Sequence, residues 1–319
     1  MKEFTINSNE AGQRFDKYLK KLLPNASGGF IYKMLRKKNI TLKGHKASGT
    51  EIIKAGDVVK LFLSDETFVK FSTDLTSLKE EYDSLSSLKP GGLQIIYEDE
   101  DILIANKPSN MLSQKAAEKD ISANERLIGY LINTNQLSFD DYKTFHPSVC
   151  NRLDRNTTGL ILMGKSLKGL QNLSQILKDR SIEKYYRTIV TGTLTKEQHI
   201  EGYLTKDTSK NIVKITPDKI SDESAAIATA YRPIYTNNNL TLLEVHLITG
   251  RSHQIRAHLA SIGHPIVGDY KYGDNSINQT FKAKYKIKHQ LLHAYNIKFP
   301  DGRIFTADLP DIYNKIMND

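Results

Sequence analysis

The sequence VCNRLDRNTTGLILMGK, residues 149–165, decides how the rest of the chain is interpreted. It opens with a polar segment in which Arg152 and Asp154 stand two positions apart, and it continues into the apolar run from Leu160 to Met163. An apolar run of this length after a polar turn predicts a buried strand. Because a buried strand is a rigid support, a turn leading into it can hold one carboxylate in place. Asp154 is therefore a candidate nucleophile.

Part of this stretch, GLILMGKS at residues 159–166, matches the phosphate-binding pattern G-x-x-x-x-G-K-[ST]. That pattern requires a loop whose backbone amides surround a phosphate. The residues between the two glycines are Leu, Ile, Leu and Met, which favour a buried strand. We therefore predict no nucleotide-hydrolysing site here.

Length and composition favour a two-domain globular protein. The chain has 319 residues, 39% of them apolar, and no apolar run approaches the roughly 18 residues of a membrane span. The first ten residues lack the apolar middle of a signal peptide, so we expect a soluble, cytoplasmic protein. The single cysteine, Cys150, excludes an internal disulfide and any multi-cysteine metal site, and we expect it to be a buried residue rather than a reactive thiol.

The positive charge is concentrated near the N-terminus. The chain has a formal net charge of +9, and residues 1–65 hold 13 Lys and Arg against 6 Asp and Glu. A basic excess in a small domain is typical of a protein that binds a polyanion such as nucleic acid. Taken alone, a solvated lysine-rich surface explains it equally well.

Residues 1–63 are predicted to form a small α/β domain. Apolar residues at helical spacing predict one helix from Phe15 to Leu23 and a second from Ser27 to Lys38, followed by short strands at 40–42 and 58–63. The second helix ends in the basic cluster Arg36, Lys37 and Lys38. The order of these elements resembles the alpha-L RNA-binding motif, and the resemblance implies that the cluster binds RNA.

Residues 64–92 are serine-rich and acidic, end in Pro-Gly-Gly and show no sustained period, so we predict a flexible linker. Residues 93–319 are predicted to form a second domain. It contains many strands at hairpin spacing with helices scattered among them, including one over SHQIRAHLASIG. This pattern favours an α+β fold with a mixed, largely antiparallel sheet.

Three further segments carry candidate chemistry. In EKYYRTIVTG, residues 183–192, Tyr185 and Tyr186 must point to opposite faces of a strand, so only one can face a cleft. Arg251 follows a strand and precedes a helix, where a cation suits a carboxylate or phosphate partner. Lys107 lies at another strand end. Each of these residues could equally be structural when considered alone.

Two histidines, His253 and His258, suggest a metal site, but no cysteine or carboxylate cluster accompanies them. We therefore expect hydrogen-bonded structural histidines and no metal.

The order of the segments is more informative than any one of them. ANKPSNML, NRLDRNTTGLILMGK, EKYYRTIVTG, TGRSHQIRAHLASIGHPIVGD and HQLLHAYNIKF follow one another between about residues 93 and 310. This order resembles the RluA family of pseudouridine synthases, and the preceding RNA-binding motif resembles its RluC and RluD branch. Two positions depart from the family pattern: Asn151 stands where histidine is common, and Asn110 stands where glycine is usual.

The resemblance implies a role for each residue. Asp154 would be the catalytic aspartate, Tyr186 would lie against the uracil ring, and Arg251 would pair with the aspartate. Arg152 would fill the gap left by a flipped uridine. Apart from the resemblance, we expect Lys107, as a cation at a strand end, to contact RNA. The implied reaction detaches uracil from its ribose and rejoins it through carbon, without a cofactor. The sequence leaves open whether Asp154 attacks the base or the sugar.

The sequence therefore predicts a monomeric RNA pseudouridine synthase acting on large-subunit ribosomal RNA. Three alternatives remain at this stage. One is an enzyme of the same kind acting on transfer RNA, and another is a non-catalytic RNA-binding factor in ribosome assembly. The third is a glycosidase that uses the same aspartate to release free uracil.

Overall fold

The computed structural model describes residues 1–207 and 212–319. Its N-terminal part is a four-stranded antiparallel sheet, in the order β1-β4-β2-β3, with two helices. These elements are β1 (Lys2–Thr5), α1 (Phe15–Leu22), α2 (Gly28–Arg36), β2 (Ile40–Leu42), β3 (His45–Lys46) and β4 (Val58–Leu61). The two helices and strands β2 and β4 occur where the sequence predicted them, and β1 was not predicted.

This N-terminal part has a hydrophobic core of its own. Phe15, Tyr18 and Leu19 of α1 pack with Ile31 and Leu35 of α2, and all five are at most 2% exposed. Their helical spacing puts them on one face of each helix, while the charged residues occupy the other. The separate core explains why the apolar periodicity of this region could be interpreted without the rest of the chain.

The rest of the chain is built around an eleven-stranded sheet. Nine strands form the path β11-β10-β12-β13-β9-β14-β8-β6-β5, with β15 beside β14 and β7 beside β8. The strands are β5 (Gln94–Glu98), β6 (Ile102–Lys107), β7 (Ser148–Val149), β8 (Thr158–Gly164), β9 (Glu183–Thr191), β10 (Gln198–Asp207), β11 (Ile212–Thr216), β12 (Ala225–Asn237), β13 (Leu240–Leu247), β14 (Leu292–Lys298) and β15 (Ile304–Thr306). Among these pairs only β14 and β8 are parallel, so the predicted α+β class with a largely antiparallel sheet is confirmed.

Eight further helices follow α2 in the described part of the chain. They are α3 (Asp65–Phe71), α4 (Leu75–Ser86), α5 (Ala123–Asn133), α6 (Phe139–Tyr142), α7 (Leu167–Lys178), α8 (Gln254–Ser261), α9 (Asn275–Tyr285) and α10 (Asp311–Met317). Of these helices, α8 occurs where the sequence predicted one, over SHQIRAHLASIG, whereas α9 and α10 were not predicted. A search of the described residues finds no helix with the length and apolar character needed to cross a membrane.

The prediction of a flexible linker at residues 64–92 is wrong, because these residues form α3 and α4. Helix α3 packs on the N-terminal core: Phe68 stacks on Phe4, and Phe71 lies against Phe30. Helix α4 packs on the second core through Leu78 and Leu85. The segment is therefore divided between two cores. The boundaries of the domains themselves stay a prediction.

Residues 159–164, which match part of the phosphate-binding pattern, lie in the buried strand β8. Leu160, Ile161, Leu162 and Met163 are all 0% exposed and pair with β6. Their backbone amides are committed to the sheet and cannot surround a phosphate. The rejection of a phosphate-binding loop is therefore confirmed.

Candidate active site

Asp154 lies in the turn between β7 and β8, and side chains from another loop fix this turn. The Ser113 hydroxyl donates to the carbonyl of Leu153 over 3.0 Å and accepts from the Leu153 amide over 2.9 Å. Within the turn, the Thr157 amide donates to the Asp154 carbonyl over 3.1 Å. The turn is therefore held on both sides of Asp154, as the sequence predicted for a carboxylate on a rigid support.

Gly159 lets β14 come close to this turn. It has a φ of +109°, and a Cβ atom built on it would lie 2.2 Å from the Ala294 carbonyl oxygen. Only glycine fits such a backbone approach. The parallel pairing of Ala294 with Gly159 therefore places β14, and beyond it β9, directly beside Asp154.

The arginine that pairs with Asp154 is Arg256, not Arg251 as predicted. Nη1 of Arg256 donates to Oδ2 of Asp154 over 2.9 Å. The same guanidinium donates through Nε and Nη2 to the two oxygens of Asp269, over 2.7 and 2.9 Å. Burial would lower the pKa of Arg256, but the hydrogen bonds to Asp269 and the charges of both carboxylates raise it instead. Arg256 is thus a permanent cation shared by two carboxylates.

Arg251 lines the same cleft but is exposed. Its backbone amide donates to Oε1 of Gln254 over 3.1 Å, which fixes the loop before α8. Both arginines were visible in TGRSHQIRAHL, and nothing local to this segment separates them. Arg256 falls among the buried residues of α8, where a charged side chain requires a buried partner.

Tyr186 lies in the cleft and Tyr185 does not, which settles the choice that the strand left open. Tyr186 is 6% exposed, and burial together with the Asp154 charge raises its pKa. Tyr185 points to the opposite face of the sheet, where it stacks on His246 with 4.7 Å between ring centroids. There it lines a separate cavity of about 790 Å³.

The prediction that Lys107 contacts RNA is wrong, because its side chain is 0% exposed. Its ammonium donates to the carbonyls of Pro108, Met111 and Arg155 over 2.9, 2.8 and 3.1 Å. Burial lowers its pKa to about 7, against the opposing effect of the Asp154 charge. Lys107 therefore ties the loop after β6 to the turn that carries Asp154.

The two departures from the family pattern both fit the structure. Asn151 accepts from the Leu162 amide over 2.8 Å and donates to the Leu160 carbonyl over 3.2 Å, so its amide supports β8. Asn110 has a φ of +61°, a left-handed conformation that asparagine adopts more readily than most residues. Each position therefore keeps the local geometry of the site.

Asp154 lies in a cleft of about 890 Å³ with a strongly positive lining. Its lining includes nine Lys and Arg residues and one carboxylate: Lys115, Arg152, Arg155, Lys178, Arg180, Lys184, Lys206, Arg251, Arg256 and Asp154. Arg152 is exposed, as its predicted role requires. Since walls of one charge focus the field on a bound ligand, this cleft suits a polyanion.

The other predicted RNA-binding residues lie outside this cleft. Arg36, Lys37 and Lys38 are exposed at the end of α2, in the N-terminal part of the chain.

The two histidines that were considered and rejected as metal ligands, His253 and His258, both make hydrogen bonds. His258 Nδ1 lies 3.1 Å from the Thr229 hydroxyl, and His253 Nδ1 lies 2.9 Å from the Tyr272 hydroxyl.

Comparison with known proteins shows the family to which the chain belongs. A sequence model described as RNA pseudouridylate synthase matches residues 101–261, which hold the Asp154 turn, β9 and α8. The chain belongs to this family. The predicted resemblance is therefore confirmed, and the protein is an RNA pseudouridine synthase.

Two curated relatives match this synthase along nearly its whole length. Ribosomal large subunit pseudouridine synthase C of Rickettsia bellii is 31% identical over 320 residues, covering 98% of this chain and 99% of the relative. An uncharacterized RNA pseudouridine synthase of Mycoplasma genitalium is 29% identical, covering 98% of this chain and 93% of the relative. The solved structure of human RNA pseudouridylate synthase domain containing 4 covers 75% of this chain and 95% of its own, with a TM-score of 0.55 and 19% identity. At this identity the structure supports the fold alone.

Proposed function

We propose that this synthase isomerises uridines of large-subunit ribosomal RNA in the cytoplasm, as a monomer, with Asp154 as its nucleophile. The observation that carries the residue assignment is the contact between Asp154 and Arg256 in a positively charged cleft. The relatives named ribosomal large subunit pseudouridine synthase C support the substrate class. Their names do not favour transfer RNA or a non-catalytic assembly factor.

The two oxygens of Asp154 have different surroundings. Among the described residues, the close contacts of the carboxylate fall on Oδ2, at 2.9 Å from Arg256 and 3.9 Å from His253. Oδ1 is therefore the oxygen available for a covalent bond to the nucleoside. A guanidinium bound to one oxygen fixes the orientation of the carboxylate, as a nucleophile requires.

The target uridine must leave its base stack to reach Asp154. Tyr186 offers a buried aromatic surface beside the carboxylate, and Arg152 offers a long exposed cation at the mouth of the cleft. Unstacking a base costs a few kcal/mol, which aromatic contact and a filler side chain offset. We assign Tyr186 to the uracil ring and Arg152 to the vacated position in the RNA.

The reaction conserves every atom of the nucleoside. The bond from N1 of uracil to C1′ of ribose breaks, the uracil turns, and its C5 bonds to C1′. The proton on C5 then leaves and N1 takes up a proton, so that the composition of the nucleoside is unchanged. The cleft keeps the detached uracil beside its ribose, which makes the second bond-forming step effectively intramolecular. A glycosidase using the same aspartate would release free uracil instead.

The N-terminal part of the chain supplies a second contact with RNA in this proposal. Arg36 and Lys37 are exposed neighbours at the end of α2, and they would neutralise backbone phosphates. Replacing both with glutamine should weaken RNA binding and flatten the dependence of log K on log salt by roughly 1–2. The matched control replaces the exposed Lys282 and Lys288 with glutamine and should leave the slope unchanged.

Carbodiimide mapping of pseudouridines in total RNA, from cells with and without this gene, tests the substrate. The proposal expects one or more pseudouridines to disappear from large-subunit ribosomal RNA and to return with the wild-type gene. Loss confined to transfer RNA would overturn the substrate class while leaving the reaction intact. Release of free uracil by the purified protein would overturn the reaction.

A further inference from the structure

The hydroxyl group of Tyr272 fixes the tautomer of His253. It accepts a hydrogen bond from the Val213 amide over 2.9 Å and lies 2.9 Å from Nδ1 of His253. A phenol oxygen has one proton to donate. Among the described residues the contact that can receive this proton is Nδ1, so Tyr272 donates to His253. The ring of His253 then holds its own proton on Nε2.

The surroundings of His253 favour its neutral form. Burial lowers its pKa below the usual value of 6.5; the charges of Asp154 and Asp269 oppose this effect, whereas those of Arg256 and Lys271 strengthen it. These groups lie on α8 and on the loops of Asp154 and Asp269, the elements that face the ring. A neutral imidazole has one donor and one acceptor, and here the Nε2–H donor remains for the cleft.

The backbone holds His253 in an unusual conformation. It has a φ of +55°, in the left-handed region, immediately before the first residue of α8. Such a conformation in a non-glycine residue costs free energy and persists where the surroundings impose it. Gln254 anchors the backbone around it, because its side chain accepts from the Arg251 amide and donates to the Ala228 carbonyl over 3.0 Å.

The remaining nitrogen of His253 faces the candidate nucleophile. Nε2 lies 3.9 Å from Oδ2 of Asp154, the oxygen that Arg256 already holds. This separation exceeds a hydrogen bond, and a shift of about 1 Å closes it. Hydrogen bonds in active sites are often long without substrate and shorten once it is bound.

We propose that His253 is a positioning residue whose Nε2–H, fixed by Tyr272, holds Oδ2 of Asp154 together with Arg256 during the reaction. Two donors on Oδ2 leave Oδ1 to form and release the covalent bond to the nucleoside. The inference rests on the proposed role of Asp154. It assigns a task to two polar side chains, His253 and Tyr272, that the proposed reaction does not otherwise use.

Nitrogen-15 NMR of the imidazole rings tests the tautomer in the free protein, with the His253 signals assigned by their loss in His253→Gln. The wild type should show the Nε2–H form. Tyr272→Phe keeps the ring beside Arg256, removes the hydroxyl group, and should give a mixture of both tautomers. An Nδ1–H form in the wild type would overturn the proposal.

Kinetics on unmodified large-subunit ribosomal RNA test the consequence. His253→Leu and Tyr272→Phe should each lower kcat roughly tenfold, with KM changed less than about twofold, and the double variant should lose no more than either single variant. His253→Gln keeps an N–H donor and should recover part of the rate. Unchanged kcat in Tyr272→Phe, or equal losses in His253→Gln and His253→Leu, would overturn the proposal.

Asp154→Asn in the same assay separates this inference from the proposed function. Activity of Asp154→Asn would show that Asp154 is not the nucleophile, and the proposed role of His253 would then be wrong as well. An inactive Asp154→Asn enzyme together with a fully active Tyr272→Phe enzyme refutes the positioning role alone. Thermal midpoints of all variants identify a loss of activity that comes only from unfolding.

Discussion

Arg256 donates a hydrogen bond of 2.9 Å to Asp154 while its other two nitrogens are bound to Asp269. The three side chains are 9%, 24% and 0% exposed, in the order Arg256, Asp154 and Asp269. The guanidinium presents N–H groups on three nitrogens in one fixed plane, so it can bind both oxygens of Asp269 and still donate to Asp154; an ammonium lacks this planar fork. The orientation of Asp154 therefore depends on a residue 102 positions further along the chain.

Arg256→Lys should lower kcat about a hundredfold, because an ammonium cannot reproduce the planar fork that binds both oxygens of Asp269, and Asp154 then loses its fixed orientation. Arg251→Lys is the matched control, since Arg251 lines the cleft without this pairing, and its kcat should stay within about threefold of wild type. Steady-state kinetics of the two variants measure both effects. A large loss of kcat in Arg251→Lys with normal activity in Arg256→Lys would restore the original prediction from sequence.

Asp269→Asn should destabilise the fold by about 3–5 kcal/mol, since it leaves the Arg256 charge partly uncompensated in a buried site. Asp83→Asn removes the exposed ion pair with Lys79, whose N to O distance of 2.6 Å is as short, and should cost at most about 1 kcal/mol. Urea unfolding of both variants gives the comparison. Equal losses of unfolding free energy in the two variants would show that burial does not determine how strongly the contact between Asp269 and Arg256 stabilises the fold.

Lys107 should make stability depend on pH. Its pKa is about 7 in the folded chain against 10.5 ordinarily, so between these values the unfolded state binds more protons. The free energy of unfolding should therefore rise with pH, by about 1.4 kcal/mol per pH unit from this group. Lys107→Met lacks the group, so the difference in unfolding free energy between wild type and variant should grow in favour of the wild type from pH 7 to pH 10. A difference that stays constant with pH would contradict the pKa of this lysine.

The docking of α4 on α5 depends on Gly129. A Cβ atom at this position would lie 2.3 Å from the Leu85 carbonyl oxygen, so the helices must separate to accept a side chain. Gly129→Ala should cost about 1–3 kcal/mol of stability. Gly28→Ala places its methyl in open space at the start of α2 and should be neutral or slightly stabilising. Thermal unfolding of both variants checks this, and a neutral Gly129→Ala would show that α4 is not held in place.

The place of the Asp154 turn could be predicted from sequence, because a polar segment followed by the apolar run from Leu160 to Met163 is a local pattern. The contacts that hold the turn, from Ser113 and from Ala294 opposite Gly159, come from distant parts of the chain and could not be predicted. The opposed faces of Tyr185 and Tyr186 also follow from strand geometry alone. Strand geometry does not say which of the two tyrosines enters the cleft, because this depends on which face of the sheet borders it.

The arginine that pairs with Asp154 could not be identified from local sequence patterns. Selecting Arg256 over Arg251 requires knowledge that α8 turns its Arg256 face towards Asp154 and Asp269, which is a tertiary relationship. Lys107 was misjudged for a similar reason, because a lysine at a strand end is usually exposed. Only the three carbonyls around it make its burial possible.

The helices of residues 64–92 escaped prediction because each contributes apolar residues to a different core. No single periodicity runs through the segment, and the serine and acidic content favoured a linker. A signal was nonetheless present: Ser64 and Asp74 each cap the helix that follows, accepting from the amides of Thr67 and Thr76. Capping residues are local evidence that apolar periodicity alone overlooks.

The pseudouridine yield of Asp154→Asn, measured together with its affinity for RNA, tests the central claim most directly. Asparagine has nearly the same shape but no nucleophilic charge, so the cleft and its cations should still bind RNA. The account predicts no detectable pseudouridine, with a Kd within about threefold of wild type. Pseudouridine formed at the wild-type rate by this variant would contradict it.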